Sequence, residues 1–222
     1  TAPRAVATAP DACATERKTA SGRRTTMDLS DSGPAYAMVN RDDRLSDCPT
    51  AALQPLTSNA DALRNAISKF NASGVTAGHI GIQWTRYLLS PRWRDTLEAA
   101  VRGSGPADYS ASRVSKIAIL MPDGEFNTAF AGVADDGTTR MAQGTRSRGY
   151  AEDLCRRMRQ DGIEVFTIGF MLEEAHAKST MRACASPDTA DKKHYFEAST
   201  GAELDKAFKE IVRNIEKLSL IR

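Results

Sequence analysis

At 222 residues the chain is long enough to bury one sizeable core. Its 30 Lys and Arg nearly balance 28 Asp and Glu, and a net charge of +2 gives no field for nucleic acid or an anionic membrane, so no nucleic-acid partner is expected. No run of about 18 apolar residues occurs, and the opening TAPRAVATAP has neither the charged region nor the apolar core of a signal peptide. The chain as it stands reads as soluble, and any membrane link would run through an anchor outside it.

Residues 1–50 are rich in Thr, Ala, Asp, Arg and Ser with little periodicity, and read as an irregular N-terminal segment. From residue 51 the pattern becomes ordered. In PLTSNADALRNAISKF, Ser58 or Asn59 can cap a helix whose Leu63, Ile67 and Phe70 recur at i, i+4, i+7. A second helix runs through Ile80, Trp84, Tyr87 and Leu88 and ends at Pro91. Residues 91–113 look like an insertion, partly helical and then a Gly/Ser/Pro loop.

An apolar strand follows from Val114 to Met121, stopping at Pro122-Asp123-Gly124. The polar stretch 126–148 reads as a surface loop. A helix begins at Tyr150, with Ala151, Leu154, Cys155 and Met158 on one face and Gly162 closing it. IEVFTIGF is a continuous apolar strand, EEAHAKSTMRACA a helix, HYFEA a short strand, and Leu204, Phe208, Ile211, Ile215 and Leu218 mark a last amphipathic helix.

Such alternation predicts an α/β domain over residues 51–222 with a mainly parallel sheet flanked by helices. Ligands of such folds sit at the carboxyl ends of the strands, where Asp123 falls. Trp84, Tyr87, Leu88, Phe166, Ile168 and Phe170 are expected in the core. His79, with no second His nearby, reads as a structural hydrogen-bonding residue, and His176 and His194 as surface residues.

The four cysteines, Cys13, Cys48, Cys155 and Cys184, are dispersed and contain no C-x-x-C, so zinc-ribbon and thioredoxin readings lack their geometry. An even, dispersed set suits disulfides in an oxidising compartment. Sequence order favours Cys13 with Cys48 and Cys155 with Cys184, although four cysteines permit three pairings.

Several motifs in order, GVTAGHIGIQWTRYLLSP, ILMPDGEFNT, LCRRMRQDGIEVFTIGF, MRACAS, HYFEAST and LDKAFKEIVRNI, resemble the carboxyl-terminal part of the TadG-type proteins of the bacterial tight-adherence (Tad) pilus system, with CATER around Cys13 a weaker match. The resemblance implies a Rossmann-like von Willebrand factor A (vWA) fold, exposed to the periplasm or cell surface, anchored upstream and contacting proteins of pilus or envelope assembly. It also implies a metal-ion-dependent adhesion site for Mg²⁺ or Mn²⁺, built from a D-x-S-x-S loop, a Thr of a G-G-T loop and the Asp of a T-D-G turn.

Position by position, that site is degenerate. Asp123 matches the turn Asp, but Pro122 stands where its Thr is expected. In SGVTAGH, Val75 takes the ligand Thr position and Thr76 is its neighbour. Asp28, Ser30 and Ser32 spell D-x-S-x-S, yet TASGRRTTM before them is no buried strand, and the stretch reads as an ordinary Asp/Ser turn. The fold's first strands, with the true first motif, are therefore expected outside this sequence, leaving a sheet edge for another segment to complete; the alternative is a reduced domain that folds by itself with a rebuilt edge.

A metal-dependent hydrolase using Asp123 and Glu125 is the enzymatic alternative. No G-x-G-x-x-G, G-x-x-x-x-G-K-[ST] or G-x-S-x-G occurs, and no second buried acid can be placed beside them. A non-enzymatic contact module is expected instead, with a purely structural, metal-independent subunit of a surface assembly as the other reading.

Overall fold

A computed structural model describes residues 15–19, 27–34, 39–40, 51–71, 76–122, 126–129 and 140–220. The α/β architecture is as expected. Three parallel strands, β3 (Ile117–Leu120), β4 (Glu164–Phe170) and β5 (Tyr195–Ala198), form one sheet in that order. Ile117 is in register with Glu164, and Thr167 with Tyr195.

The strands arise where apolar residues run without interruption, because helices pack on both faces of β4 and on one face of β3. On one face, Ala118, Leu120 and Val165 pack with Ala151, Leu154 and Met158 of α4 (Arg140–Gln160) and with Met181 and Cys184 of α5 (Ala175–Cys184). Ile82 of α2 (Gly78–Leu89) joins the same cluster. On the other face, Phe166, Ile168 and Phe196 are covered by Ala207 and Ile211 of α6 (Gly201–Leu220). Tyr87, Phe166 and Ile168 are buried, while Trp84, Leu88 and Phe170 are half-buried.

Three local features shape this frame. Gly162 (φ 78°) takes the left-handed turn that drops the chain from α4 into β4. A disulfide joins Cys155 to Cys184, clamping α4 to α5 at a Cα separation of 4.9 Å. Glu197 on β5 accepts from Arg182 Nη2 (2.5 Å) and Tyr195 Oη (2.9 Å), and Lys178 Nζ lies 3.3 Å away, so α5 is pinned to β5. Those donors, Arg182 foremost, hold the Glu197 carboxyl down at about 2.

The structure departs from the sequence expectation in three places. Helix α4 begins at Arg140, so residues 140–148 are helical rather than loop. Its first turns carry no apolar row but pack closely through Gly144, where an added Cβ would lie 2.8 Å from the Phe126 carbonyl oxygen. His194 is 3 % exposed, beneath Phe166 (ring centroids 4.8 Å) with Nε2 2.8 Å from Glu164 Oε1. The N-terminal segment is also not wholly loop, since β1 (Glu16–Arg17) pairs antiparallel with β2 (Val39–Asn40), and Lys18 bridges Met27.

Two further helices complete the order. After a 3₁₀ turn at Pro91–Trp93 comes α3 (Arg94–Ala100). Before α2 stands α1 (Ala60–Ser68), capped by Asn59 Oδ1, which accepts from the backbone N–H of Asp61 and Ala62 at 3.0 Å each.

Candidate functional site

The carboxyl end of β3 is closed by a clasp between two distant segments. The Asn127 side chain accepts from the Thr76 N–H (2.9 Å) and from the Thr128 hydroxyl (2.9 Å). In return the Thr76 carbonyl accepts from the N–H groups of Asn127 (3.0 Å) and Thr128 (3.2 Å). Phe126, 3 % exposed, wedges beneath, and Gly78 at the start of α2 gives it room: a Cβ there would stand 1.9 Å from the ring. The clasp thus brings Thr76 to the residues that follow Pro122-Asp123-Gly124 in the sequence. Asp123, Gly124, Glu125 and Val75 lie outside the described residues.

The Asp28 loop is elsewhere. Its carboxylate is 5 % exposed as a residue and turned onto its own serines: Oδ1 accepts from the Ser30 N–H (2.8 Å) and hydroxyl (2.6 Å), and Oδ2 from the Ser32 hydroxyl (3.4 Å). This is the Asp/Ser turn expected from the sequence. Its neighbour Asp31 accepts from Ser90, Trp93 Nε1 (3.2 Å) and Tyr109 Oη (3.3 Å). Ser90 follows Leu89, whose carbonyl accepts from Lys116 at the amino end of β3, so the Asp28–Asp31 loop reaches the end opposite Thr76. The Asp28 loop and Thr76 are therefore not brought together at one place.

A hard cation needs several converging oxygens. Val75 offers no side-chain oxygen, the Thr76 backbone is taken up by the clasp, and the Asp28 carboxylate is occupied by two serines. Among the described residues no group of three or more His, Cys, Asp or Glu is placed to hold an ion. The described residues therefore do not fit a complete Mg²⁺ or Mn²⁺ site.

One buried constellation is only partly legible in the sequence. His79 Nε2 lies 2.7 Å from Glu16 Oε2 and Nδ1 lies 2.8 Å from Ser147 Oγ, all three residues being 0 % exposed. The order resembles a hydrolytic relay, but Ser147 sits within α4 with no access for a substrate, so the relay has nothing to attack. Its physical role is to fasten the N-terminal strap to α2. Trp84 Nε1 donating to the Thr15 carbonyl (2.9 Å), Arg17 N–H donating to Gln83 Oε1 (3.2 Å) and Gln83 Nε2 donating to the Asp28 carbonyl (2.8 Å) extend that seam. The Arg17 guanidinium stacks 5.2 Å from the ring centres of both Tyr87 and Trp93. Burial pushes the Tyr87 hydroxyl up to about 12 against the opposing pull of Arg17. His79 was legible as structural; Glu16, 63 positions away, carried no signal of its partner.

An open groove of about 630 Å³ lies at the amino ends of the strands, between Tyr109, Arg113, Lys116 and Glu164. Lys116 and Glu164 are spent internally. Lys116 Nζ donates to the Leu89 and Ala107 carbonyls, and Glu164 accepts from Lys192 and His194. Burial lowers the Lys116 ammonium. For Glu164 burial pulls upward, but Lys192 and His194 outweigh it and hold the carboxyl below its usual range.

The Cys155–Cys184 bridge is the pairing that sequence order favours, whereas Cys13 and Cys48 lie outside the described residues. No helix among the described residues is long and apolar enough to cross a membrane. No protein-family model matches the chain, and no curated protein matches it.

Proposed function

We propose that this chain is a non-enzymatic, extracytoplasmic vWA-like module that acts through protein contacts in tight-adherence pilus assembly or surface adhesion, with a degenerate adhesion site. The observation that carries the reading is the clasp at the carboxyl end of β3. There Thr76 is tied to the residues that follow Pro122-Asp123-Gly124, at the end of the sheet where open α/β folds hold their ligands. The ordered Tad-like motifs and a disulfide between two helices support the same reading. Sealed polar clusters favour contacts over chemistry.

A second reading, a structural subunit with no response to cations, is favoured by Pro122 and Val75 and by the self-satisfied Asp28 carboxylate. Co-purification of the chain with pilus or envelope proteins, in Mg²⁺, in Mn²⁺ and after chelation, separates the two. The contact-module reading expects specific co-purification. Dependence on the cation, lost in Asp123→Ala, selects the first version; indifference selects the second. Absence of any pilus or envelope partner would sink both.

A further inference from the structure

Ile119 and Phe166 are register partners on adjacent parallel strands and share one sheet face, yet Phe166 is fully buried and Ile119 is 38 % exposed. The cover that α6 provides ends at β4. Ile117 reaches the edge of the α6 cluster, while Met121, next on the same face, is 46 % exposed. A parallel strand with one bare apolar face is an incomplete layer.

The same chain carries a helix with the opposite need. None of the nine residues of α1 is buried, and its apolar row, continued past the helix end by Phe70, stands exposed: Leu63 40 %, Ile67 61 %, Phe70 70 %. Helices shorter than about 12 residues are marginal alone in water, and the Asn59 cap contributes only about 1 kcal/mol. Such a helix needs a surface to pack on.

Chain length says which surface is within reach. Four residues separate Asn71 from Thr76, a span of at most about 18 Å. Thr76 is fixed at the carboxyl end of β3 by Asn127, so Asn71, just past α1, lies within about 18 Å of that anchor and the β3 face is within reach. A nine-residue helix is about 13 Å long, close to the length of a four-residue strand. Laid along β3 from that anchor, α1 sets Phe70, Ile67 and Leu63 over Met121, Ile119 and Ile117 in order, while Asp61 and Arg64, paired at 2.9 Å, stay outside. Helix α2 already packs toward the other face through Ile82, which leaves this face to α1.

We infer that the uncovered face of β3 is the docking site of α1 of the same chain, and that α1 is a lid whose release exposes both apolar surfaces together. This goes beyond the contact-module reading and does not depend on it. Two measurements on the full chain test it. In the Ile67→Cys/Ile119→Cys variant, non-reducing peptide mapping is expected to show a bond between positions 67 and 119 within one chain, at a yield independent of protein concentration. In the unsubstituted chain, hydrogen exchange of amides 61–70 is expected to be slowed at least about tenfold relative to a peptide of residues 55–71. Exchange at the peptide's rate overturns the proposal, as does a bond that forms only between chains, which would make a second copy the occupant.

Discussion

His79 and Glu16, 63 residues apart, meet at 2.7 Å with both side chains fully buried, and through this contact the N-terminal strap is welded to α2. A buried pair of this kind is costly to break from one side, because the remaining partner keeps its desolvation cost without its contact. Glu16→Ala is therefore expected to lower stability by about 3 kcal/mol, read as a shift in the urea midpoint at unchanged slope. A loss under about 0.5 kcal/mol would show that the strap is not fastened there.

Gly78 makes a second test. A side chain at this position collides with the Phe126 ring, which is held between α2 and α4. Gly78→Val is expected to cost about 1–3 kcal/mol by overpacking, and to loosen the Thr76–Asn127 clasp, visible as faster amide exchange at Asn127 and Thr128. Unchanged exchange and stability would contradict the wedge.

The α4–α5 bridge closes a loop with a sequence separation of 29. Loop-closure entropy assigns it about 3.5 kcal/mol, so Cys155→Ala/Cys184→Ala should unfold at markedly lower denaturant. Retention of full stability would mean that packing of α4 on α5 suffices.

Glu197 gives a pH signature. Its folded-state carboxyl is held at about 2 against an ordinary 4.5, so its contribution is present above about 4.5 and is lost as pH falls toward about 2. The Glu197→Gln variant is expected to show a shallower loss of stability across that window, with a modest amplitude because the pair is solvent-exposed. An identical acid profile in both proteins would count against the α5–β5 pin.

Much of the fold is legible from local pattern, because β3, β4 and β5 are short apolar runs bounded by polar residues, and α5 and α6 keep helical spacing. What escapes the sequence is non-local. Glu16 lies in a stretch without periodicity and becomes structural only through His79, and His194 looks exposed until Phe166 and Glu164 close over it. The start of α4 hides because Gly144 and Gly149 read as loop, although Gly144 is what lets the helix approach Phe126. At the candidate site, Thr76 and the Asp123 turn could be matched to a motif, but the clasp between Thr76 and Asn127 could not, since 51 positions separate them.

If this chain serves a surface assembly through protein contacts, as proposed, its removal should be visible on the cell. Surface pili and adherent cells would be counted, by electron microscopy and attachment assay, in the encoding organism with the chain deleted and then restored. Loss of pili or attachment on deletion and recovery on restoration are expected, with the Glu16→Ala and Gly78→Val variants restoring less. Unaltered pili and attachment in the deletion strain would contradict the proposed role.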